Sequence, residues 1–226
     1  MRTHTGKISE IQLEPDGSRS AWIACPPQVI PASGQYVLGW TVAEILATPL
    51  FAAAVSTSGF LAAPSLPAAW QPGLPLHLRG PLGHGFRMHD QVRRLALAAF
   101  DRQISRLLPL AEVTIARGGD VALCTNASTP HLPLSFELFP LSSLPEILPW
   151  ADLLALDIPL EMLPQLRACL GLEPGAILPC PAQALVVTPM PCGSIAECGA
   201  CAVPACRGWK LACQDGPVFD LKELDF

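Results

Sequence analysis

The sequence is poor in charge, and the charges that it has do not cluster. Only 15% of its 226 residues are Asp, Glu, Lys or Arg, the 14 Lys and Arg form no run, and the formal net charge is −5. Because proteins that bind nucleic acid present clustered basic side chains to the phosphates, we expect no DNA or RNA partner. Aromatic residues are scarce, at 6%, but half of the chain is hydrophobic, which predicts a packed globular protein and excludes a disordered one.

Targeting and membrane-spanning patterns are missing as well. The first residues, MRTHTGKISEIQLEPDGS, lack the apolar core of a secretory signal. We therefore expect a cytoplasmic protein whose nine cysteines are reduced. No charged residue occurs between Glu44 and His77, but prolines, serines and Gly59 leave no apolar run of about twenty residues there. This stretch predicts short buried strands, with no membrane span.

Prolines are abundant and spread over the whole length, 25 in all, which favours many short elements over long helices. Residues 1–90 contain short alternating or β-branched runs such as KISEIQL and QYVLGW, separated by Pro, Gly and Ser, and predict an antiparallel β-barrel. Residues 91–188 alternate buried strands with helical segments and predict a parallel α/β layer. Residues 189–226 are rich in cysteine and glycine and predict a loop-rich module. The fold class is thus mixed α+β in three parts.

In the second part, RLALAAF predicts a strand, SRLLPLAEVTIARGG a helix that ends at glycine, and VALCT the next strand. The turn after the first strand reads AAFDRQIS and has no glycine-rich loop to receive the phosphates of a dinucleotide. Asp101 would repel phosphate there, and it is typical of a helix N-cap. Asp152 and Asp157 flank LLAL, and we interpret them as the ends of a strand.

Five cysteines lie close together in PCGSIAECGACAVPACRGWKLACQDG. Cys192 and Cys198 are separated by five residues, Cys198 and Cys201 by two, and Cys201 and Cys213 by eleven. This spacing is close to that of a plant-type [2Fe-2S] loop, in which three cysteines wrap one edge of the cluster and a distant fourth completes it. A structural zinc site normally has a second close cysteine pair, which this chain lacks. The spacing favours iron and sulfide over zinc or a redox-active thiol pair, but leaves all three open.

Several neighbours of these cysteines have predicted roles. Gly193 and Gly199 would let the backbone approach the inorganic sulfides. Trp209 and Phe219 would shield the cluster from solvent. Cys206 is predicted to be an unligated neighbour, and the alternative is that it replaces Cys213 as a ligand. The remaining cysteines, Cys25, Cys124, Cys169 and Cys180, are expected to be small core residues.

The residues around the cysteines resemble the iron–sulfur module of the dihydroorotate dehydrogenase electron-transfer subunit, a member of the ferredoxin reductase superfamily. The resemblance lies in MPCGSIAECGACAV, from Met190 to Val203, and in LACQDGPVF, from Leu211 to Phe219. The family usually has four residues in the first cysteine interval, so the loop here must accommodate one more. Upstream, GQY at Gly34 to Tyr36 and GPLGHGF at Gly80 to Phe86 are similar to the flavin-barrel motifs of the same family.

The resemblance implies a flavin-barrel-like domain at 1–90, a degenerate nucleotide-binding-like domain at 91–188 and a [2Fe-2S] module at 189–226. It implies Cys192, Cys198, Cys201 and Cys213 as the cluster ligands. The chain would pass electrons to or from a flavin-bearing dehydrogenase subunit, and catalysis would belong to that partner. The stretch TPLFAAAVSTS, where the family has an arginine for the flavin pyrophosphate, has none, so FAD is a doubtful cofactor. The alternatives are a docking subunit with zinc or a non-redox cluster, and a flavin reductase with other FAD contacts.

Overall fold

The computed structural model describes residues 3–14, 16–64, 66–101, 103–127, 136–173 and 175–226. Six strands form the first part of the chain: β1 (His4–Leu13), β2 (Arg19–Ala24), β3 (Tyr36–Trp40), β4 (Thr48–Ser56), β5 (Gly59–Ala62) and β6 (Pro75–Leu82). They close into an antiparallel barrel in the order β1-β2-β5-β4-β3-β6. The predicted barrel is thereby confirmed.

The barrel has its own core because its strands alternate inward apolar and outward polar side chains. Ile8, Ile23, Val37, Phe60 and Leu78 point inward and are fully buried. Trp70, from the segment between β5 and β6, fills the barrel, and its indole Nε1 donates to the Glu44 carboxylate at 2.9 Å.

A six-stranded sheet follows. Its strands are β7 (Arg94–Ala99), β8 (Asp120–Thr125), β9 (Phe136–Phe139), β10 (Leu153–Pro159), β11 (Ala182–Val187) and β14 (Val218–Asp220). Their order is β14-β11-β10-β7-β8-β9, and every pair is parallel except β11 with β14. The central strands are mostly apolar because both faces of a parallel sheet are buried. The predicted α/β layer is therefore confirmed, and β9 and β14 are edge strands that the sequence did not predict.

Helices cover the sheet only in short pieces. They are α1 (Leu108–Ala116), α2 (Leu144–Ile147) and α3 (Leu166–Cys169), with 3-10 turns at Ser105–Leu107, Leu141–Ser143 and Leu160–Gln165. α1 ends before Gly118, which has a φ of +73°, as predicted from the glycine stop. The expectation that Asp101 caps this helix is wrong, because the helical turn begins at Ser105 after Ile104. None of the described helices is long and apolar enough to cross a membrane.

The cysteine-rich end of the chain has little regular structure. It contains a two-stranded hairpin, β12 (Ala202–Ala205) with β13 (Gly208–Leu211), and then returns to the sheet through β14. One hydrophobic cluster joins this end to one face of the sheet and to the outer face of the barrel, and it includes Tyr36, Phe51, Leu156, Cys201 and Cys213. Two of the predicted metal ligands are thus part of the central core. The limits at residues 90 and 188 stay predictions.

Candidate metal centre

The structure brings the four predicted ligands together as two pairs. The Sγ atoms of Cys192 and Cys198 lie 3.5 Å apart, and those of Cys201 and Cys213 lie 3.3 Å apart. Two thiolates on one tetrahedral metal with bonds of about 2.3 Å have their sulfur atoms about 3.8 Å apart. Each pair is therefore spaced to hold one metal ion.

The pairs differ from a zinc site in a specific way. Four thiolates around one zinc ion converge on a single point. In the part of the chain that the structure describes, no three His, Cys, Asp or Glu side chains converge in that manner. Two separate pairs match a two-iron cluster, in which each iron takes two thiolates and two sulfides. The four cysteines present therefore supply the donor set that a [2Fe-2S] cluster requires.

The first pair lies at the surface. Cys198 is exposed and Cys192 is half-buried. Burial works against ionisation of the Cys192 thiol, but hydrogen bonds from the backbone of Ala196, Ser194 and Cys198, together with one from the Cys198 thiol, lower its pKa to about 7. The loop is thus arranged to accept negative charge on this sulfur before any metal is bound.

The second pair lies inside the protein. Cys201 and Cys213 are both buried, and burial, followed by the hydrogen bond with Cys201, raises the pKa of the Cys213 thiol to about 12. A thiol in this environment loses its proton readily only when a bound cation compensates the charge. The Tyr36 hydroxyl, also fully buried, donates to the backbone carbonyl of Cys213 at 3.3 Å and fixes the segment that carries this ligand.

The loop after Cys192 is packed against the barrel. A Cβ atom on Gly193 would lie 2.1 Å from Leu38 Cδ1 and 2.4 Å from Arg79 Nη2, and the residue has a φ of +51°. Arg79 donates through Nη2 to the carbonyl of Cys192 at 3.1 Å and also to that of Gly193. Glycine is therefore favoured here by its left-handed backbone, and a Cβ atom would also force the Leu38 and Arg79 side chains of the barrel to shift. Gly199 has a φ of +72° but open space around it, so only its backbone conformation favours glycine.

The segment GPLGHGF holds the last ligand in place. The His84 backbone N–H donates to the Gly216 carbonyl at 2.5 Å, its carbonyl accepts from Val218 at 3.3 Å, and its ring Nδ1 lies 3.1 Å from the Asp215 carbonyl oxygen. At Gly83, a Cβ atom would lie 2.5 Å from the Gly216 oxygen. In this chain the motif connects the barrel to the residues that follow Cys213.

Two neighbours of the cysteines differ in their placement. Phe219 is buried in the central core, in keeping with its predicted shielding role. Trp209 is 71% exposed on β13, so the prediction that it shields the cluster is wrong.

Cys206 lies at the tip of the hairpin, where its Sγ contacts the carbonyl oxygens of Lys222 at 3.4 Å and Leu224 at 3.2 Å. It lies apart from both cysteine pairs.

The stretch TPLFAAAVSTS, where the family resemblance places a flavin contact, contains no positively charged side chain. β4 begins Thr48-Pro49-Leu50-Phe51, and Phe51 is buried with its ring centroid 6.1 Å from that of Tyr36. These side chains do not fit the pyrophosphate of FAD, which requires positive charge or a cluster of N–H donors.

Sequence reasoning missed a buried ion pair at the carboxyl edge of the sheet. Arg106 donates through Nε to Asp157 Oδ2 at 2.6 Å and through Nη2 to Oδ1 at 3.1 Å, and both side chains are buried. Asp101 Oδ2 lies 3.9 Å from Arg106 Nη2. Open α/β sheets bind their ligands at this edge. The sequence marked Asp157 only as the end of a strand, although a carboxylate inside an apolar run is itself a sign of a buried partner.

Solved structures of reductases share the fold. A structure of an NADH-dependent reduced ferredoxin–NADP oxidoreductase, solved in a study of flavin-based electron bifurcation, is 19% identical, with a TM-score of 0.76, over 97% of this chain and 89% of that chain. Phthalate dioxygenase reductase is 11% identical, with a TM-score of 0.62, over 91% and 87%. An Amycolatopsis cytochrome P450 reductase is 14% identical, with a TM-score of 0.61, over 75% and 66%. No curated protein sequence matches significantly.

The barrel, the parallel sheet and the cysteine module together have a ferredoxin-reductase-like fold. Within this class, residues 188–225 match the family model described as the iron–sulfur cluster binding domain of dihydroorotate dehydrogenase B. Over these residues the chain is thus similar to the iron–sulfur protein of a dihydroorotate dehydrogenase of the B type. The matched region contains all five cysteines of the cluster segment. The predicted resemblance, fold class and iron–sulfur function are confirmed.

Proposed function

We propose that the chain holds a [2Fe-2S] cluster with Cys192 and Cys198 on one iron and Cys201 and Cys213 on the other. The observation that carries this assignment is the pairing of the four Sγ atoms, at 3.5 Å and 3.3 Å, within the matched domain. The first iron would lie near the surface beside the exposed Cys198, and the second would lie in the central core beside Tyr36. When bound, the cluster accepts and donates single electrons.

The partner is a flavin-bearing dehydrogenase subunit that approaches the outer pair. Electrons cross between proteins only over short distances, so the partner's flavin has to come close to the exposed Cys198. Apolar side chains are exposed on two loops: Ile195 lies in the cluster loop, and Val42, Ile45 and Leu46 lie between β3 and β4. That second loop begins three residues after Leu38, which contacts the cluster loop at Gly193. Exposed apolar patches of this kind mark interaction surfaces.

The proposed partner would contribute the flavin, because this chain offers little to hold one. Thr48, Leu50 and Phe51 supply no charge to a pyrophosphate, and the Arg106–Asp157 pair lies at the sheet edge where a dinucleotide would bind. Residues of this chain therefore have two tasks: they bind the cluster and they present its outer iron to the partner.

The test is purification without oxygen, followed by the visible spectrum and the iron, sulfide and zinc contents before and after dithionite. The proposal expects a brown protein with about two irons and two sulfides per chain whose absorption bleaches on reduction. A colourless protein with about one zinc per chain would make the chain a structural docking subunit. A flavin band that remains after desalting would instead support a flavin reductase.

A further inference from the structure

Arg79 is a buried cation directly beside the cluster loop. It lies on β6, 6% exposed, and its guanidinium donates to the backbone carbonyls of Cys192 and Gly193. Its neighbour Leu78 faces the barrel core, and because side chains alternate along a strand, Arg79 faces the opposite way, toward the cysteine module. The guanidinium thus lies beside the first cluster ligand, with Nη2 3.1 Å from the carbonyl oxygen of Cys192, and it is shielded from solvent.

A charge in this position interacts strongly with a cluster. Two ferric ions, two sulfides and four thiolates carry two net negative charges, and reduction by one electron adds a third. Electrostatic interactions are weakly screened inside a protein, so a nearby cation stabilises the reduced cluster more than the oxidised one. Net charge and hydrogen bonding near the sulfur atoms are among the factors that set the potentials of iron–sulfur clusters.

We propose that Arg79 is a positioning residue that raises the reduction potential of the cluster. This inference rests on the proposed function, because it requires the cluster on Cys192, Cys198, Cys201 and Cys213. Arg79 acts in two ways: it holds the Cys192–Gly193 segment against β3 and β6, and its charge favours the reduced state. It would thereby make the cluster a better electron acceptor for its partner's flavin.

The direction in which the reduction potential shifts in an Arg79 variant distinguishes an effect of the charge from an effect of holding the loop in place. Removal of the charge disfavours the reduced cluster and lowers the potential. A loop that merely loosens admits water, which stabilises the more highly charged reduced state and raises the potential. A purely structural role for Arg79 therefore predicts a shift in the opposite direction.

The experiment is an anaerobic redox titration of the purified full-length protein, followed by visible absorption and electron paramagnetic resonance. For Arg79→Gln and Arg79→Met we expect the equilibrium constant for reduction to fall at least tenfold, which is 59 mV for a one-electron couple. Arg79→Lys keeps the charge and should stay within a threefold change. Arg117→Gln removes the same charge near the end of α1, where Arg117 pairs with Asp90, and should leave the potential unchanged.

The outcomes distinguish this inference from the proposed function. Wild-type protein without a cluster overturns both. Wild-type protein with a cluster, but with an unchanged or raised potential in the neutral variants, overturns the role of Arg79 alone. If both neutral variants fail to assemble the cluster while Arg79→Lys assembles it at the wild-type potential, the requirement for positive charge is supported. Loss of the cluster from the lysine variant as well would reduce Arg79 to a structural residue.

Discussion

Arg106 and Asp157 form a bidentate ion pair inside the protein, with Nε to Oδ2 at 2.6 Å and Nη2 to Oδ1 at 3.1 Å. Asp157 belongs to β10, and Arg106 comes from the 3-10 turn that precedes α1. Arg106 Nη1 also lies 3.5 Å from the Pro64 carbonyl, just after the last strand of the barrel hairpin β4–β5. The pair therefore connects the sheet, its first crossover and the barrel at a single point.

The first prediction is that Asp157→Ala destabilises the protein by about 3–5 kcal/mol, because it leaves a buried guanidinium without its carboxylate. Urea unfolding at pH 7, followed by tryptophan fluorescence, measures the change. The double variant Arg106→Met with Asp157→Leu removes both charges and should recover most of the loss. Equal stability of the single and double variants would contradict the ion pair as the cause.

The second prediction concerns two glycines in the cluster loop. Gly193→Ala should prevent cluster assembly, because the new Cβ would overlap Leu38 and Arg79 in addition to straining a left-handed backbone. Gly199→Ala is the matched control, since its φ is also positive but its surroundings are open, and its cost should be about 1 kcal/mol. Iron and sulfide per chain after anaerobic purification report the result. Equal cluster contents in the two variants would argue against a role for the barrel contact.

The barrel and the parallel sheet could be predicted because their sequence patterns are local. β7 reads RLALAA and β11 reads AQALVV, and such apolar runs are typical of strands buried on both faces. The four cysteines could be singled out as candidate ligands because their spacing is close to that of a plant-type [2Fe-2S] loop and the surrounding residues resemble the family, and their role as ligands stays a prediction. The two edge strands β9 and β14 could not be predicted, because FELF and VFD are too short to show a period.

Contacts between distant segments explain the remaining failures. Asp157 pairs with Arg106 from another segment, so its burial and its partner are properties of the tertiary fold. The same holds for Arg79, 113 residues before Cys192, whose position in LHLRGPLG gives no sign of the loop that it contacts. Trp209 was expected to shield the cluster because it is close in sequence, but the turn of the hairpin directs it to solvent.

The third prediction distinguishes the two candidates for the fourth ligand. Cys213→Ser should lose most of its cluster, because Cys213 lies 3.3 Å from Cys201, sulfur to sulfur. Cys206→Ser should keep two irons per chain, because the Cys206 thiol contacts only carbonyl oxygens among its described hydrogen-bond partners. Iron content and the visible spectrum decide between them. A cluster retained in Cys213→Ser and lost in Cys206→Ser would transfer the ligand role to Cys206.

The fourth prediction is a dependence of stability on pH. The side-chain hydrogen bond from Arg94, together with backbone hydrogen bonds from Arg94 and Arg93, lowers the pKa of Asp152 from 3.8 to about 2. A carboxyl with a depressed pKa in the folded state stabilises the protein above pH 3.8 and loses that contribution as the pH falls toward 2. Asp152→Asn should therefore be less stable than wild type near pH 6, by about 1 kcal/mol or less at this exposed site.

Urea unfolding between pH 6 and pH 2 checks this sign. The stability difference between wild type and Asp152→Asn should shrink continuously below pH 3.8 and vanish near pH 2. Added salt should reduce the difference at pH 6, because the Arg94–Asp152 pair is partly exposed to solvent. If the stability difference between wild type and Asp152→Asn stays constant with pH, the negative charge of Asp152 is not its cause, and hydrogen bonding by the neutral carboxyl group explains it.

The fifth prediction tests the proposed docking surface around Ile45 and Ile195. Ile45 is 99% exposed in the loop between β3 and β4, and Ile195 is exposed in the cluster loop. Burial of such side chains stabilises an interface, and a charge placed among them disfavours it. Ile45→Glu and Ile195→Glu should each slow electron transfer with the flavin-bearing catalytic subunit of a dihydroorotate dehydrogenase by about tenfold, an effect of about 1.4 kcal/mol.

Two controls separate docking from chemistry in this test. Oxidation of the reduced cluster by ferricyanide needs no protein interface and should proceed at the wild-type rate in both variants. Leu13→Glu introduces the same charge at another exposed apolar residue. Leu13 is 78% exposed at the end of β1 and belongs to neither of the two loops. It should leave the partner reaction unchanged. Equal slowing by Leu13→Glu would indicate a general effect of negative charge and would argue against these two loops as the docking surface.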